Sequence, residues 1–385
     1  MLNFWRFNKV RTYILKEEGE DMHILHISTA KSWRGGEQQL AYLISELEDK
    51  GVRQTVLCRE GSEMEKHCEK NEIPVISQPK RTSFDPFFAK KVKSICKNMG
   101  VSLIHTHDSH AHSFAILSTV LFGNRTPIVV SRRVDFPVKN SWFSKFKYNH
   151  GAVKKILCVS NKIKEITGAS IKNKFVLETV YSCIDISKFH KENKGKLHEE
   201  LGLNPDMKIV GNVAALAPHK DYFTFLETAD KVLSQRNDVH FVAIGDGPQK
   251  EEIMAAYGKY KHKDRIHFVG FRSDVPDLLP ELNIFFISSE TEGLGTSILD
   301  AFANNVPVVA TNAGGIPEIV HHEKTGLLGK VKDSEGLSQL INRMLDDESL
   351  RSSVKIGQNE LIKNFEKTAL GVNTLKQYEE VLENN

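Results

Sequence analysis

At 385 residues the chain is too long for one ordinary core and suits two domains of roughly 150–200 residues each. Its 40% apolar and 26% charged residues are those of a globular protein, and a net charge of +3 makes no case for a nucleic-acid partner. Five scattered cysteines (Cys58, Cys68, Cys96, Cys158, Cys183), none in a CxxC pair, argue against structural zinc and for a reduced, intracellular protein.

Residues 1–21 are basic and aromatic, with Trp5, Arg6 and Arg11 among them, and lack the apolar core of a signal peptide. They read as a poorly ordered leader in preference to a membrane-surface anchor. No apolar run approaches the ~18 residues needed to cross a bilayer.

From Met22 short β-branched runs alternate with amphipathic stretches. Strands are expected at 23–28, 53–58, 74–76, 102–105, 127–131 and 156–160. The first helix is expected over 37–50, with Leu40, Leu43, Ile44 and Leu47 on one face and Gly51 as its stop. A stretch rich in Lys, Glu, Asn and Gly, 183–206, reads as a linker. A second series follows, with strands at 208–213, 239–244, 265–269, 284–288 and 307–310. Its helices are expected at 222–235, 249–257, 296–304 and 315–321.

Such alternation predicts an α/β protein with parallel sheets covered by helices on both faces. The expected organisation is a Rossmann-like domain over 22–182, a second over 207–364, and a closing helix over 365–385 that crosses back to the first. Doubly wound sheets bind ligands at the carboxyl ends of their strands, so the natural site is the cleft between the two.

The densest motif is Ser289–Val320, SETEGLGTSILDAFANNVPVVATNAGGIPEIV. A loop with Gly293, Leu294 and Gly295 leads into a helix, and its amides can serve phosphate or sugar oxygens. Glu292 lies in the loop and Asp300 eight positions later, so the two can touch different parts of one extended ligand. Ser297 and Asp300 also fit a capping box, which would give Asp300 a merely structural task. In Val210–Lys220, Lys220 stands at a helix start, where a cation opposes the helix dipole and an anion would explain it. Gly35-Gly36 lies between the first strand and helix and lacks the GxGxxG spacing of a dinucleotide site. Leu103–His112 carries four histidines, but with no Cys or Glu at a convincing ligand spacing no metal is expected.

Together these motifs resemble the family 4 retaining glycosyltransferases of the GT-B fold. Glu292-Gly293-Leu294-Gly295 matches that family's Glu-Gly-Phe-Gly, and Gly314-Gly315-Ile316-Pro317-Glu318 its Gly-Gly-x-x-Glu turn. The resemblance implies that Glu292 and the amides of Gly293 to Gly295 face a donor sugar and that Asp300, where the family has Glu, holds the ribose. It gives Lys220 the departing diphosphate and His107, the second His of His-x-His, a contact to the donor sugar. Asn212 stands where the family has Arg. Gly35 and Gly36 would approach the diphosphate, Gly245 belongs to a Gly-x-Gly-Pro turn, and Phe271 lies where a base would pack. Asp108, Arg132 and Arg133 are candidate acceptor contacts.

The implied function is sugar transfer with retention from a nucleotide sugar, UDP- or GDP-linked, to a glycan or lipid-linked acceptor of the cell envelope. The implied enzyme is cytoplasmic, uses no metal or other cofactor, and can sit peripherally at the inner membrane face. That last point has a local basis. Nine lysines and one acidic residue, Glu165, lie between Lys139 and Lys174, with Trp142, Phe143 and Phe146 among them. A bland alternative has those aromatics in the core and the lysines on a solvated face. Two rival functions are a sugar-nucleotide epimerase and a non-catalytic nucleotide- or carbohydrate-binding protein.

Overall fold

A computed structural model describes residues 22–189 and 192–384; the predicted leader lies outside the described residues. Two all-parallel sheets organise it. The first has seven strands: β1 (His23–Ser28), β2 (Arg53–Arg59), β3 (Val75–Gln78), β4 (Leu103–Thr106), β5 (Ile128–Arg132), β6 (Val153–Cys158) and β7 (Leu177–Thr179), in the order β3-β2-β1-β4-β5-β6-β7. The second has six: β8 (Lys208–Val213), β9 (Val239–Ile244), β10 (Ile266–Gly270), β11 (Ile284–Ile287), β12 (Val308–Thr311) and β13 (Leu327–Gly329), in the order β10-β9-β8-β11-β12-β13. Central strands such as β1, β4, β11 and β12 are buried along their whole length, as sheets covered on both faces require.

The order reverses between β1 and β4 in one sheet and between β8 and β11 in the other. Those two switch points leave crevices beyond the carboxyl ends of the strands. Residues 29–36 and 107–108 edge the first crevice. Residues 214–220 and 288–295 edge the second.

Several expectations shift for physical reasons. Strand β6 begins at Val153 rather than Ile156, and its Lys155 is ion-paired to Glu380 at 2.8 Å. A strand can therefore start on a lysine pair because the last helix covers it. The three-residue strands β7 and β13 are too short to show a period. The helix expected over 315–321 is only a 3₁₀ turn, Ile316–Glu318, with Pro317 inside it.

The predicted linker is partly built into the second lobe. A helix, Lys196–Leu201, buries Leu197 in that lobe's core, and Glu281 accepts from the Leu197 and His198 amides at its start. The closing helix, Lys367–Glu383, lies against Gly35–Asp49. The two helices come so close at Gly371 that a Cβ there would stand 2.6 Å from Glu46 Cβ.

Candidate active site in the cleft

Backbone packing shapes the second lobe's wall. Gly314 adopts φ +53°, and a Cβ on it would lie 2.0 Å from the Glu292 carbonyl oxygen; on Gly315 it would lie 2.3 Å from that of Gly293. The Gly-Gly turn is thus the mould in which the Glu292–Gly293 loop is cast, and no larger residue fits it. Gly245 does the same for the neighbouring loop, with φ +149° and the Ala214 carbonyl 2.0 Å from its would-be Cβ. Gly295, at φ +88°, caps the helix Thr296–Ala303. Leu294 sends its side chain into the core, so only its backbone faces the loop.

Within this mould Lys220 and Glu292 form an ion pair, with Ser289 Oγ donating to the same carboxylate oxygen at 3.0 Å. Lys220 ends a 3₁₀ turn, and the next residue, Asp221, is left-handed at φ +46° while capping the helix Tyr222–Gln235. Ser288 Oγ ties this turn to the end of β11 by donating to the carbonyls of Lys220 and Asp221. A strained junction held from both sides fixes where the ammonium points.

The predicted capping box is absent. Gly295 is the N-cap, and Asp300 makes no cap bond. Its half-buried carboxyl is instead pushed up to about 7 by desolvation, with Lys188 opposing. Burial raises the Tyr42 phenol and Asp300 adds to the rise; Lys188 lies over that ring at 4.7 Å. Phe271 stands 78% exposed beside Gly270, free to stack on a planar group. Asn212 does not reach the cleft. Its amide donates to the Phe286 carbonyl at 2.7 Å and accepts from Tyr222 Oη at 3.1 Å, inside the core.

The first lobe's wall is made of side chains. Asp108 is spent on structure: it caps the helix Ser109–Phe122 and accepts from Thr29 Oγ1 at 2.8 Å, which pins the β1 loop. Arg132 is turned inward, bound to the Phe136 carbonyl and to Tyr148 Oη at 3.4 Å. Neither is an acceptor contact as placed. Arg133, on the opposite face of the same strand end, does enter the cleft. Its Cδ lies 3.9 Å from where a Gly36 Cβ would be, and its carbonyl 3.0 Å from where a Gly293 Cβ would be. A Cβ on Gly35 would meet nothing within 4 Å, so the first turn of the helix Gly35–Asp49 is open on that side.

Behind Arg133 runs a directed hydrogen-bond chain. The Ile44 carbonyl can only accept, so the Gln54 amide donates to it at 3.0 Å and turns its oxygen to His26 Nε2 at 3.0 Å. His26 donates from Nε2 and accepts at Nδ1 from His107 Nε2 at 3.1 Å. That leaves His107 Nδ1 to accept from Arg133 Nη2 at 3.4 Å. Burial holds the rings neutral, with His26 pushed down to about 4 and His107 well below its usual range. His107 therefore offers the cleft no free nitrogen, contrary to the contact expected from its motif.

His26, His105 and His107 bring one nitrogen each within 4.8 Å of one another, which could in principle hold a metal. His105 is bound to Tyr378 Oη at 2.5 Å and Ser131 Oγ at 2.9 Å, so every nitrogen of the trio already has a partner. With a guanidinium at the edge as well, the set fits a hydrogen-bond network better than a dication. His110 and His112 lie elsewhere: His112 is buried against Tyr148 and bound to the Lys147 carbonyl. Sequence reading missed His26 and Gln54, since each is an ordinary strand residue until β1, β2 and β4 are set side by side.

Glu318 was seen only as part of a motif. It spans the two lobes, accepting from the Asn161 and Lys162 amides at 2.8 Å each and from Tyr181 Oη at 3.0 Å. It thereby caps the helix Asn161–Gly168 from the opposite lobe.

Two doubly wound lobes facing across a cleft, with a glycine-moulded loop and a lysine at its centre, define a GT-B glycosyltransferase. Residues 33–188 match the family described as Glycosyltransferase Family 4, and residues 193–361 the family described as Glycosyl transferases group 1. The chain belongs to this family of retaining glycosyltransferases. It is 26% identical over 291 residues to N-acetyl-alpha-D-glucosaminyl L-malate synthase of Bacillus anthracis, covering 74% of this chain and 75% of that protein. It is also 26% identical over 290 residues to an Escherichia coli UDP-Gal:alpha-D-GlcNAc-diphosphoundecaprenol alpha-1,3-galactosyltransferase, covering 70% and 73%. Among solved structures, a glycosyltransferase of Rickettsia africae superimposes with a TM-score of 0.83 at 22% identity, covering 95% of this chain and all of that one. Anabaena HepE in complex with UDP-glucose gives 0.80 at 21% identity, covering 94% and 100%.

Proposed function

We propose that this enzyme transfers a sugar from a UDP- or GDP-linked donor, bound on the second lobe, to a lipid-linked or other envelope glycan held on the first. The observation that carries the reading is the Lys220–Glu292 pair at the β8/β11 switch point, set in a loop that glycines alone can mould. In this reading Glu292 and the amides of Gly293 to Gly295 face the sugar, and Asp300 holds the ribose. Phe271 covers the base. The names of relatives acting on diphosphoundecaprenol-linked sugars support the choice of acceptor class.

As the bond from C1 to the diphosphate oxygen breaks, an acceptor oxygen forms its bond to C1 from the same face. Its proton passes to the leaving phosphate oxygen. The growing charge on that phosphate is met by Lys220 and by loop amides, which in a desolvated cleft is the largest lever available.

Contact with a membrane surface is part of the same proposal. Phe84, Phe87, Phe136 and Trp142 are each more than half exposed, and Phe84 packs against Phe143 with ring centroids 4.6 Å apart. Trp142 is exposed and Lys147 is buried under Ser109 and Ser113, whereas Phe146 packs on the first lobe's core and Lys145 is exposed, so the bland account of that stretch holds only in part. Among the described residues no helix is long and apolar enough to cross a membrane. Sedimentation with anionic vesicles that Trp142→Ala fails to weaken would remove this part.

The test of the function is calorimetric titration of UDP, GDP and ADP into the wild type and Lys220→Ala. Preference for one diphosphate, lost in the variant, is the expected result. Failure of the wild type to bind any of them would overturn the reading.

A further inference from the structure

The donor site as described is short of positive charge. Lys220 is already paired with Glu292, so the pair together offers a diphosphate almost no net charge. Asn212, near the carboxyl end of β8, is locked into the core by its bonds to Phe286 and Tyr222. A departing nucleoside diphosphate carries more negative charge than this pair balances.

Across the cleft the imbalance is reversed. Arg133 forms no ion pair with any carboxylate among the described residues, and its buried Nε has no hydrogen-bond partner. Desolvation pushes its guanidinium down to about 10. Glu37 lies near enough to favour that charge but makes no ion pair with it, and a desolvated cation without a bonded counter-ion is unfavourable unless a ligand supplies the anion. Arg133 also lies where such an anion would come. Its Cδ lies beside Gly36, in the first turn of the helix Gly35–Asp49, and its backbone carbonyl beside Gly293, on the loop that faces the donor.

The chain behind it explains why the guanidinium does not fold away. Ile44, Gln54, His26 and His107 form a one-way series of donors and acceptors that ends in a neutral acceptor nitrogen aimed at Arg133 Nη2. Ser131 Oγ accepts from the same nitrogen at 3.3 Å. A carboxylate in place of His107 would have fixed the arginine equally well but would have cancelled its charge. Neutral imidazole fixes orientation and leaves the charge for the ligand.

We propose that Arg133 is the second cation of the donor site, closing on the β-phosphate from the first lobe, with His107, His26 and Gln54 as the positioning residues that hold it. The inference rests on the donor reading above. When the bond from C1 to the diphosphate oxygen breaks, charge rises on the β-phosphate. Arg133 and Lys220 then flank it from opposite lobes, so full stabilisation exists only when both are in place around the donor.

The experiment compares Arg133→Gln with the wild type for the nucleoside diphosphate that the wild type prefers and for the matching monophosphate, by calorimetry, alongside turnover of the sugar donor. Expected is a loss of about tenfold or more in diphosphate affinity and a larger loss in turnover, with monophosphate affinity unchanged. Arg133→Lys should recover part of the turnover, as should added guanidinium ion with Arg133→Ala. For the positioning residues, His107→Gln, which keeps an acceptor for Arg133, should outperform His107→Leu in turnover at equal monophosphate affinity. A folded Arg133→Gln with wild-type diphosphate affinity and turnover would overturn the inference alone. So would a variant in which only the acceptor KM rises, which would assign Arg133 to the acceptor. A wild type that binds no nucleoside diphosphate would overturn both this inference and the reading beneath it.

Discussion

The two walls of the cleft are built on different principles. On the second lobe the wall is backbone, and its shape is set by glycines that no side chain can replace without a clash against a neighbouring carbonyl. On the first lobe it is a long-range side-chain network in which residues from β1, β2 and the ends just beyond β4 and β5 hold one another. Substitution in the first kind of wall deforms the fold together with the site. Substitution in the second kind can disable the site and leave the fold standing.

That contrast can be broken or sharpened by mutation. The largest effect is expected where the walls meet the chemistry: Lys220→Ala should lower turnover by about a hundredfold to a thousandfold, read by coupled detection of nucleoside diphosphate release. Because it also leaves Glu292 unpaired, Lys220→Arg is the companion variant and should keep more activity.

Next come the glycines. Gly314→Ala combines φ +53° with a 2.0 Å approach to the Glu292 carbonyl, so about 3 kcal/mol of destabilisation is expected in denaturant unfolding. Gly35→Ala has nothing within 4 Å to meet and should unfold like the wild type. If it loses turnover regardless, the open space beside it belongs to a substrate. Equal stability losses at both glycines would erase the distinction between the walls.

Asp300 offers a smaller, pH-dependent test. Its folded carboxyl is raised from 3.8 to about 7, so ionisation opposes folding. That opposition is absent below about pH 4, grows as pH rises, and is complete above about 7. Asp300→Asn should therefore melt higher than the wild type at pH 8 and much like it at pH 4, while binding nucleotide more weakly. A gain in stability coupled to a loss of binding is the mark of a group retained for its ligand. Variants that melt alike at pH 8 would contradict the buried placement.

The smallest effect is expected at the bridge between the walls. Glu318→Ala removes the acceptor for two helix-start amides and should cost about 1–2 kcal/mol, read as a lower denaturation midpoint. No change would mean that the contact adds nothing to how the lobes are held.

The same contrast governs how much of the molecule could be read in advance. Strands β8 and β9 and the helix Tyr222–Gln235 fall on the residues that periodicity assigns them, since each has a complete apolar pattern between clear stops. The second lobe's site was legible because loop and mould lie within one stretch, Ser289–Val320, where local spacing carries the information. The first lobe's site was not. His26, Gln54, His107 and Arg133 lie far apart in the chain, and only sheet order makes them neighbours. The doublet Arg132-Arg133 gave no sign that one arginine turns inward to Phe136 and Tyr148 while the other faces the cleft. Nor could spacing show that Asp108 is consumed as a cap or that Asn212 is buried.

The most direct test of the account is a crystal structure of the enzyme with its preferred nucleoside diphosphate. The account predicts a β-phosphate within hydrogen-bond distance of both Lys220 and Arg133, over the amides of Gly293 to Gly295, with the ribose on Asp300. A diphosphate bound away from Lys220, or a base and ribose seated outside the β8/β11 crevice, would contradict it.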